Sequence, residues 1–326
     1  MLRCFAVVMG LTLAVAARAD EPRVLTTIKP LQLIAAAVLD GVAEPQLLLP
    51  VGASPHSYAL RPSERRALDE AQRTYWVGPE LELFLEHLLE SRDTDMALMH
   101  AKGIKLRPVD PEAADEHAHD SHDHGQREHA EHGHDEHKVE HHGHADEHEH
   151  HHSGTHDAHI WLSPDNAIAI AHVMAADLAS LFPAHGERLN DNAQRFESQV
   201  TELDARLQRR FEPLGDKPYF VFHDGYGYLE DHYGIRARGI FSLSHEVQPG
   251  AQHVAQLREQ LQQAGSSCVF SEPQFTPRLI ESLTAGLDVR TGELDPLGGS
   301  APVSAQGYVE FVESLGGTLA ECLEAL

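Results

Sequence analysis

Apolar residues in this chain come in short runs, separated by stretches whose apolar positions follow a helical spacing. Residues 23–28, 45–49 and 74–77 read as strands, and 104–109 as a fourth. Between them a helix is expected from about Leu31, a second capped by Ser63 after Pro62, and a third over 82–89. The second half repeats the scheme, with strands at 219–222, 236–241, 267–270 and 289–294. Its helices are expected near 254–263, 279–285 and 309–323. Such alternation predicts an α/β fold of two lobes, each with a largely parallel sheet flanked by helices.

A longer pattern lies between the halves. Apolar residues fall at Leu189, Ala193, Phe196, Val200, Leu203, Leu207 and Phe211, in steps of three or four that mark one face of a continuous helix. About 25 residues at 1.5 Å each span about 38 Å, enough to join two lobes and to restrict hinge closure between them. Packing on a single sheet is the alternative. The domains then run as a leader over 1–19, an N-terminal lobe over 20–184, a connecting helix over 185–213 and a C-terminal lobe over 214–326.

One segment has no apolar period at all. Between Asp115 and Asp157, sixteen of forty-three residues are histidine, interleaved with Asp and Glu, and Val139 is the one large apolar side chain. Such a stretch buries too little surface to offset its ordering entropy, so it is expected to be a disordered insert in the N-terminal lobe. Neutral imidazoles are common metal ligands and the carboxylates add oxygen donors. The insert points to divalent metal, either captured and passed on or bound loosely by a solvated linker.

The first residues read as a secretory signal: Arg3, an apolar stretch over 5–17, and Ala17-Arg18-Ala19 as a cleavage motif before Asp20. The apolar run is short for a transmembrane span. An exported protein follows. Cys4 would leave with the signal, so Cys268 and Cys322 remain, an even pair that export to an oxidising compartment favours as a disulfide over two buried thiols. That link would tie a C-terminal helix to a strand. The formal charge of −26 argues against nucleic acid or anionic membrane as partner.

Three histidines outside the insert stand in unusual settings. His56 lies in the loop Gly-Ala-Ser-Pro-His-Ser-Tyr at 52–58, His159 in Asp-Ala-His-Ile-Trp-Leu-Ser-Pro at 157–164, and His223 at the end of the apolar run Tyr-Phe-Val-Phe-His at 219–223. Ligands of parallel α/β sheets bind where the carboxyl ends of strands converge, and all three are expected there. Each alone is an ordinary surface or core histidine; the set is what suggests a site.

The same residues carry a family resemblance. The strings at 52–63, Trp-Val-Gly-Pro-Glu at 76–80, 159–164, 219–228, Glu-Val-Gln-Pro-Gly-Ala-Gln at 246–252, 268–275 and Leu-Asp-Pro-Leu-Gly at 294–298 resemble the ZnuA-type periplasmic zinc-binding proteins of high-affinity zinc ABC importers. The match is in order over essentially the whole mature chain, with the insert where this family carries one. The resemblance implies that His56, His159 and His223 bind Zn²⁺ in a cleft between the lobes, and it supports the Cys268–Cys322 disulfide. It also implies delivery of Zn²⁺ to a membrane permease driven by an ATPase, with the receptor expected to be a monomer. Some members have a glutamate before the first histidine as a fourth ligand, whereas this chain has Pro55. Asp295, where related proteins use Asp or Glu, is then a candidate fourth ligand, with water as the alternative and a turn role before Pro296 as the competing reading.

Three imidazoles suit tetrahedral zinc, while manganese prefers oxygen, and related manganese importers have a carboxylate where His223 stands. A zinc hydrolase would share the ligand set, with Glu272 or Asp224 as its base. No His-Glu-x-x-His helix and no Gly-x-Ser-x-Gly elbow is expected, and Asp224 reads more simply as a ligand support or helix cap. Trp161, Tyr58 and Tyr226 read as packing around the cleft. No enzymatic activity is expected. A periplasmic zinc buffer with the same ligands is the other alternative.

Overall fold

The computed structural model describes residues 22–89, 92–109, 155–242, 251–273 and 277–326. The expected leader, all of the insert up to residue 154 and residues 243–250 lie outside the described residues.

The N-terminal lobe starts with β1 (Val24–Thr26), buried at every position, followed by α1 (Lys29–Val38), which buries nine of its ten residues. Then come β2 (Gln46–Leu47), α2 (Pro62–Glu70), β3 (Arg73–Trp76), the short α3 (Glu86–Leu89) and β4 (Asp95–Ala97). The strands form one parallel sheet in the order β2-β1-β3-β4. The fourth strand is therefore Asp95–Ala97, where a strand at 104–109 was expected. Pro108 has no N–H to donate, and that stretch makes only an isolated antiparallel bridge to His156. The cap of α2 also differs. Pro62 takes the first helical position and Arg61 precedes it in an extended conformation, which proline imposes on its predecessor. Ser63 thus lies inside the helix, and the Glu64 carboxylate accepts the Arg61 N–H at 2.7 Å.

From there α4 (Pro164–Leu181) leads into α5 (Gly186–Phe211), the long helix the apolar spacing predicts. Its 26 residues bury Leu189, Ala193, Phe196, Val200, Leu203, Leu207 and Phe211 on one face. The C-terminal lobe contains β5 (Tyr219–His223), α6 (Gly227–Tyr233), β6 (Gly239–Ser242), α7 (Ala251–Ala264), β7 (Ser267–Ser271), α8 (Pro277–Thr284), β8 (Val289–Glu293) and α9 (Gly307–Glu324). Its parallel sheet has the order β6-β5-β7-β8, the same pattern as the first.

One apolar core runs through both lobes, from Leu25 on β1 and Ile34 on α1, through Phe196 and Leu207 on α5, to Phe270 on β7 and Leu319 on α9. Helix α9 packs on both α5 and α1, and Gly316 lets it approach closely, since a Cβ there would stand 3.0 Å from Leu207. A smaller cluster, including Phe222, Phe241 and Leu257, covers the other face of the second sheet. Cys268 on β7 and Cys322 on α9 form the expected disulfide. No helix among the described residues is long and apolar enough to cross a membrane.

Candidate metal centre

His56, His159 and His223 converge. One ring nitrogen from each lies within 4.8 Å of those of the other two, and among the described residues they are the group of this kind that could hold a metal ion. They line a small cavity with Ser54, Pro55, Trp161, Glu272, Pro296 and Leu297, drawn from both lobes. His223 is the last residue of β5, as expected for a ligand at a strand end. His56 comes from the loop after β2. His159 is not at a strand end: it precedes a single 3-10 turn, Ile160–Leu162, that leads into α4.

Two of the rings are held by carboxylates. His159 donates from Nδ1 to Asp157 Oδ1 at 2.8 Å, and the same oxygen accepts the His159 backbone N–H at 2.9 Å. His223 Nδ1 donates to Glu272 Oε1 at 2.6 Å, an oxygen that also accepts the Tyr226 hydroxyl at 3.1 Å. With both Nδ1–H groups so used, the Nε2 atoms present lone pairs, and these face each other at 3.1 Å. Facing lone pairs repel until a cation stands between them. Two ligands of a tetrahedral zinc ion are about 3.3 Å apart for bonds of 2.0–2.1 Å, so the separation suits that ion.

Burial and electrostatics agree. His223 is 4% exposed, and burial, then the neighbouring His159, hold its basicity well below the ordinary imidazole value against the opposing pull of Asp157. Burial pushes the Asp157 carboxyl up, but its hydrogen bonds to His159 and the Arg107 guanidinium outweigh it and keep it below the usual carboxylate range. The site thus pairs a neutral imidazole at His223 with an ionised support at Asp157, the states metal binding requires.

Gly225 completes the cavity. A Cβ there would lie 2.3 Å from His223 Cε1 and Nε2 and 3.1 Å from His159 Nε2, so any side chain would occupy the position of an ion. Trp161 is fully buried, with its ring 5.2 Å from His159, and donates from Nε1 to Pro296 O at 2.8 Å. That bond ties the His159 turn to the opposite lobe. Tyr226 packs against His223, whereas Tyr58 turns away to Glu64 and Phe84.

Asp295 is not brought into the histidine group. Its Oδ1 accepts the Leu297 N–H at 2.9 Å and its Oδ2 the Gly299 N–H at 2.6 Å, the pattern of a residue that shapes its own turn. Asp224 caps no helix; α6 starts from Tyr226. Glu272 stands where it orients His223. Asp157 was hidden to sequence reasoning because it reads as the last acid of the His-rich insert, yet it is 6% exposed and belongs to the site. The Asp-x-His spacing was the signal that could have found it.

Two α/β lobes on a shared long helix, with a largely buried histidine cage between them, define a metal-binding solute receptor. The family model for the periplasmic zinc-uptake complex component A, ZnuA, matches residues 24–322, and the chain belongs to that family. It is 39% identical over 303 residues to the high-affinity zinc uptake system protein ZnuA of Yersinia pestis, covering 92% of this chain and 91% of that one. The protein of the same description from Brucella abortus is 38% identical over 311 residues, covering 93% and 92%. A crystal structure of ZnuA superposes with a TM-score of 0.70 at 21% identity, covering 93% of this chain and all of the other.

Proposed function

We propose that His56, His159 and His223 hold a single Zn²⁺ ion through their ring nitrogens, and that the chain captures zinc in the periplasm for an ABC importer. As a member of the zinc-uptake family it is a receptor that delivers its ion to a permease and its ATPase, and not an enzyme. The observation that carries the ligand assignment is the opposed pair of Nε2 atoms, 3.1 Å apart, each backed by a carboxylate on Nδ1. The fourth position goes to water rather than to Asp295, whose two oxygens are engaged with backbone N–H groups. Each chain supplies a full set of three imidazoles, so a monomer suffices for binding.

Chelator competition on a chain lacking residues 115–154, which retains Asp157, tests the assignment. One tight site that survives the deletion, and weakens by at least about 100-fold in each of His56→Ala, His159→Ala and His223→Ala, is the expected result. Tight binding that disappears with the insert and ignores the three substitutions would reject it.

A further inference from the structure

The stretches on either side of residues 110–154 meet each other. Asp157 N–H donates to Arg107 O at 2.8 Å, Val109 N–H donates to Thr155 O at 3.1 Å, and Pro108 pairs with His156 as an antiparallel bridge. Arg107 is thereby set beside Asp157, and its guanidinium reaches in two directions. Nε donates to Asp231 Oδ2 on α6 at 2.8 Å, and the terminal nitrogen NH1 lies 3.5 Å from Asp157 Oδ2. The Tyr228 hydroxyl, also on α6, accepts the Arg107 N–H at 3.0 Å and donates to Asp157 O at 3.0 Å. Asp157 therefore faces Arg107 with one oxygen and His159 with the other. A continuous polar path runs from the C-terminal lobe through Arg107 and Asp157 to the Nδ1 of His159.

Charge explains why a cation belongs there. Asp157, Asp231 and Asp224 all act on the Arg107 guanidinium, and the Asp157 side chain is only 5% exposed, so solvent cannot take over the pairing. A guanidinium serves two carboxylates at once through its planar fork, which an ammonium does not. The fold also reserves room for it: a Cβ on Gly227 would stand 2.4 Å from Arg107 Cζ.

We propose that Arg107 is a positioning residue for zinc binding, fixing the Asp157 carboxylate so that it aims the His159 ring at the ion. The inference rests on His159 being a ligand. Without the guanidinium, Asp157 is left beside Asp224 and Asp231 with less cationic charge. Its carboxylate is then freer to turn, and both hydrogen bonds to His159 loosen.

The test follows zinc release to excess chelator, together with thermal unfolding of the zinc-free chain, for Arg107→Ala, Asp157→Asn and the double variant. Arg107→Ala should release zinc about 10–100-fold faster, as expected when the support of a ligating histidine is disturbed. Arg107→Lys should recover part of that loss. If Arg107 acts through Asp157, the double variant should be little worse than Asp157→Asn alone. Unchanged release in Arg107→Ala, or losses that add in full, would overturn the inference, as would a loss matched only by a fall in Tm. If Arg107→Ala does not fold, Arg107→Gln, which keeps the stem, is read in its place with the same expected and overturning results. His159→Ala is measured alongside. Tight zinc retained there rejects the ligand assignment, whereas zinc lost there with normal release from Arg107→Ala rejects the role of Arg107 alone.

Discussion

At Gly225 the site depends on the absence of a side chain, because a Cβ would stand 2.3 Å from His223 Nε2. Gly225→Ala should therefore abolish tight zinc binding, by about 100-fold or more, with the fold intact; competition with a chelator and circular dichroism check the two halves. Glu82 gives a prediction on stability instead. It is fully buried, and burial raises its carboxyl from 4.5 to about 7, against hydrogen bonds from Thr27, Val77 and Gly78 that favour the ionised form. The folded state then keeps a proton that the unfolded state loses. Its contribution is fully present below about 4.5 and is lost as pH rises to about 7, a change on the order of 3 kcal/mol. Glu82→Gln should remove that fall, seen as a difference between denaturant titrations of variant and parent across the window. An unchanged pH profile would contradict it.

Among the elements, those with the strongest apolar pattern were legible. The run Tyr219–His223 is buried on both faces, as a central parallel strand must be, and the steps of three and four from Leu189 to Phe211 mark the buried face of α5. Asp95–Ala97 escaped notice because three residues without a β-branched side chain carry almost no strand signal. The stretch at 104–109 carried that signal but forms only the Pro108–His156 bridge, which serves to bring Arg107 to Asp157. The three histidines were visible from their local settings, two in loops and His223 at a strand end. The carboxylates behind two of them were not, since Asp157 merges into an acidic insert and Glu272 lies forty-nine residues from His223. The disulfide links β7 to α9 across 54 residues, and Cys268 pairs with Tyr219 at the start of β5, the end away from His223. Replacing Cys268 and Cys322 together by serine should destabilise the chain by about 2–4 kcal/mol in denaturant, with one zinc ion still bound tightly. Loss of zinc binding at unchanged stability would contradict that separation.

For the whole molecule, the continuous core joins both lobes to α5 and α9, so the cage sits between bodies that share their packing. Large closure around the ion would have to break that core; local adjustment of loops would not. The ligands correspondingly come from the loop after β2, the turn before α4 and the end of β5, supported by bonds that cross the cleft from Trp161 to Pro296 and from Arg107 to Asp231. The measurement that tests this account most directly is zinc K-edge absorption spectroscopy on the chain lacking residues 115–154, loaded with one equivalent of zinc. Three imidazole nitrogens and one oxygen at about 2.0–2.1 Å are the result it predicts. Fewer than three imidazoles, or a shell dominated by oxygen, would contradict it.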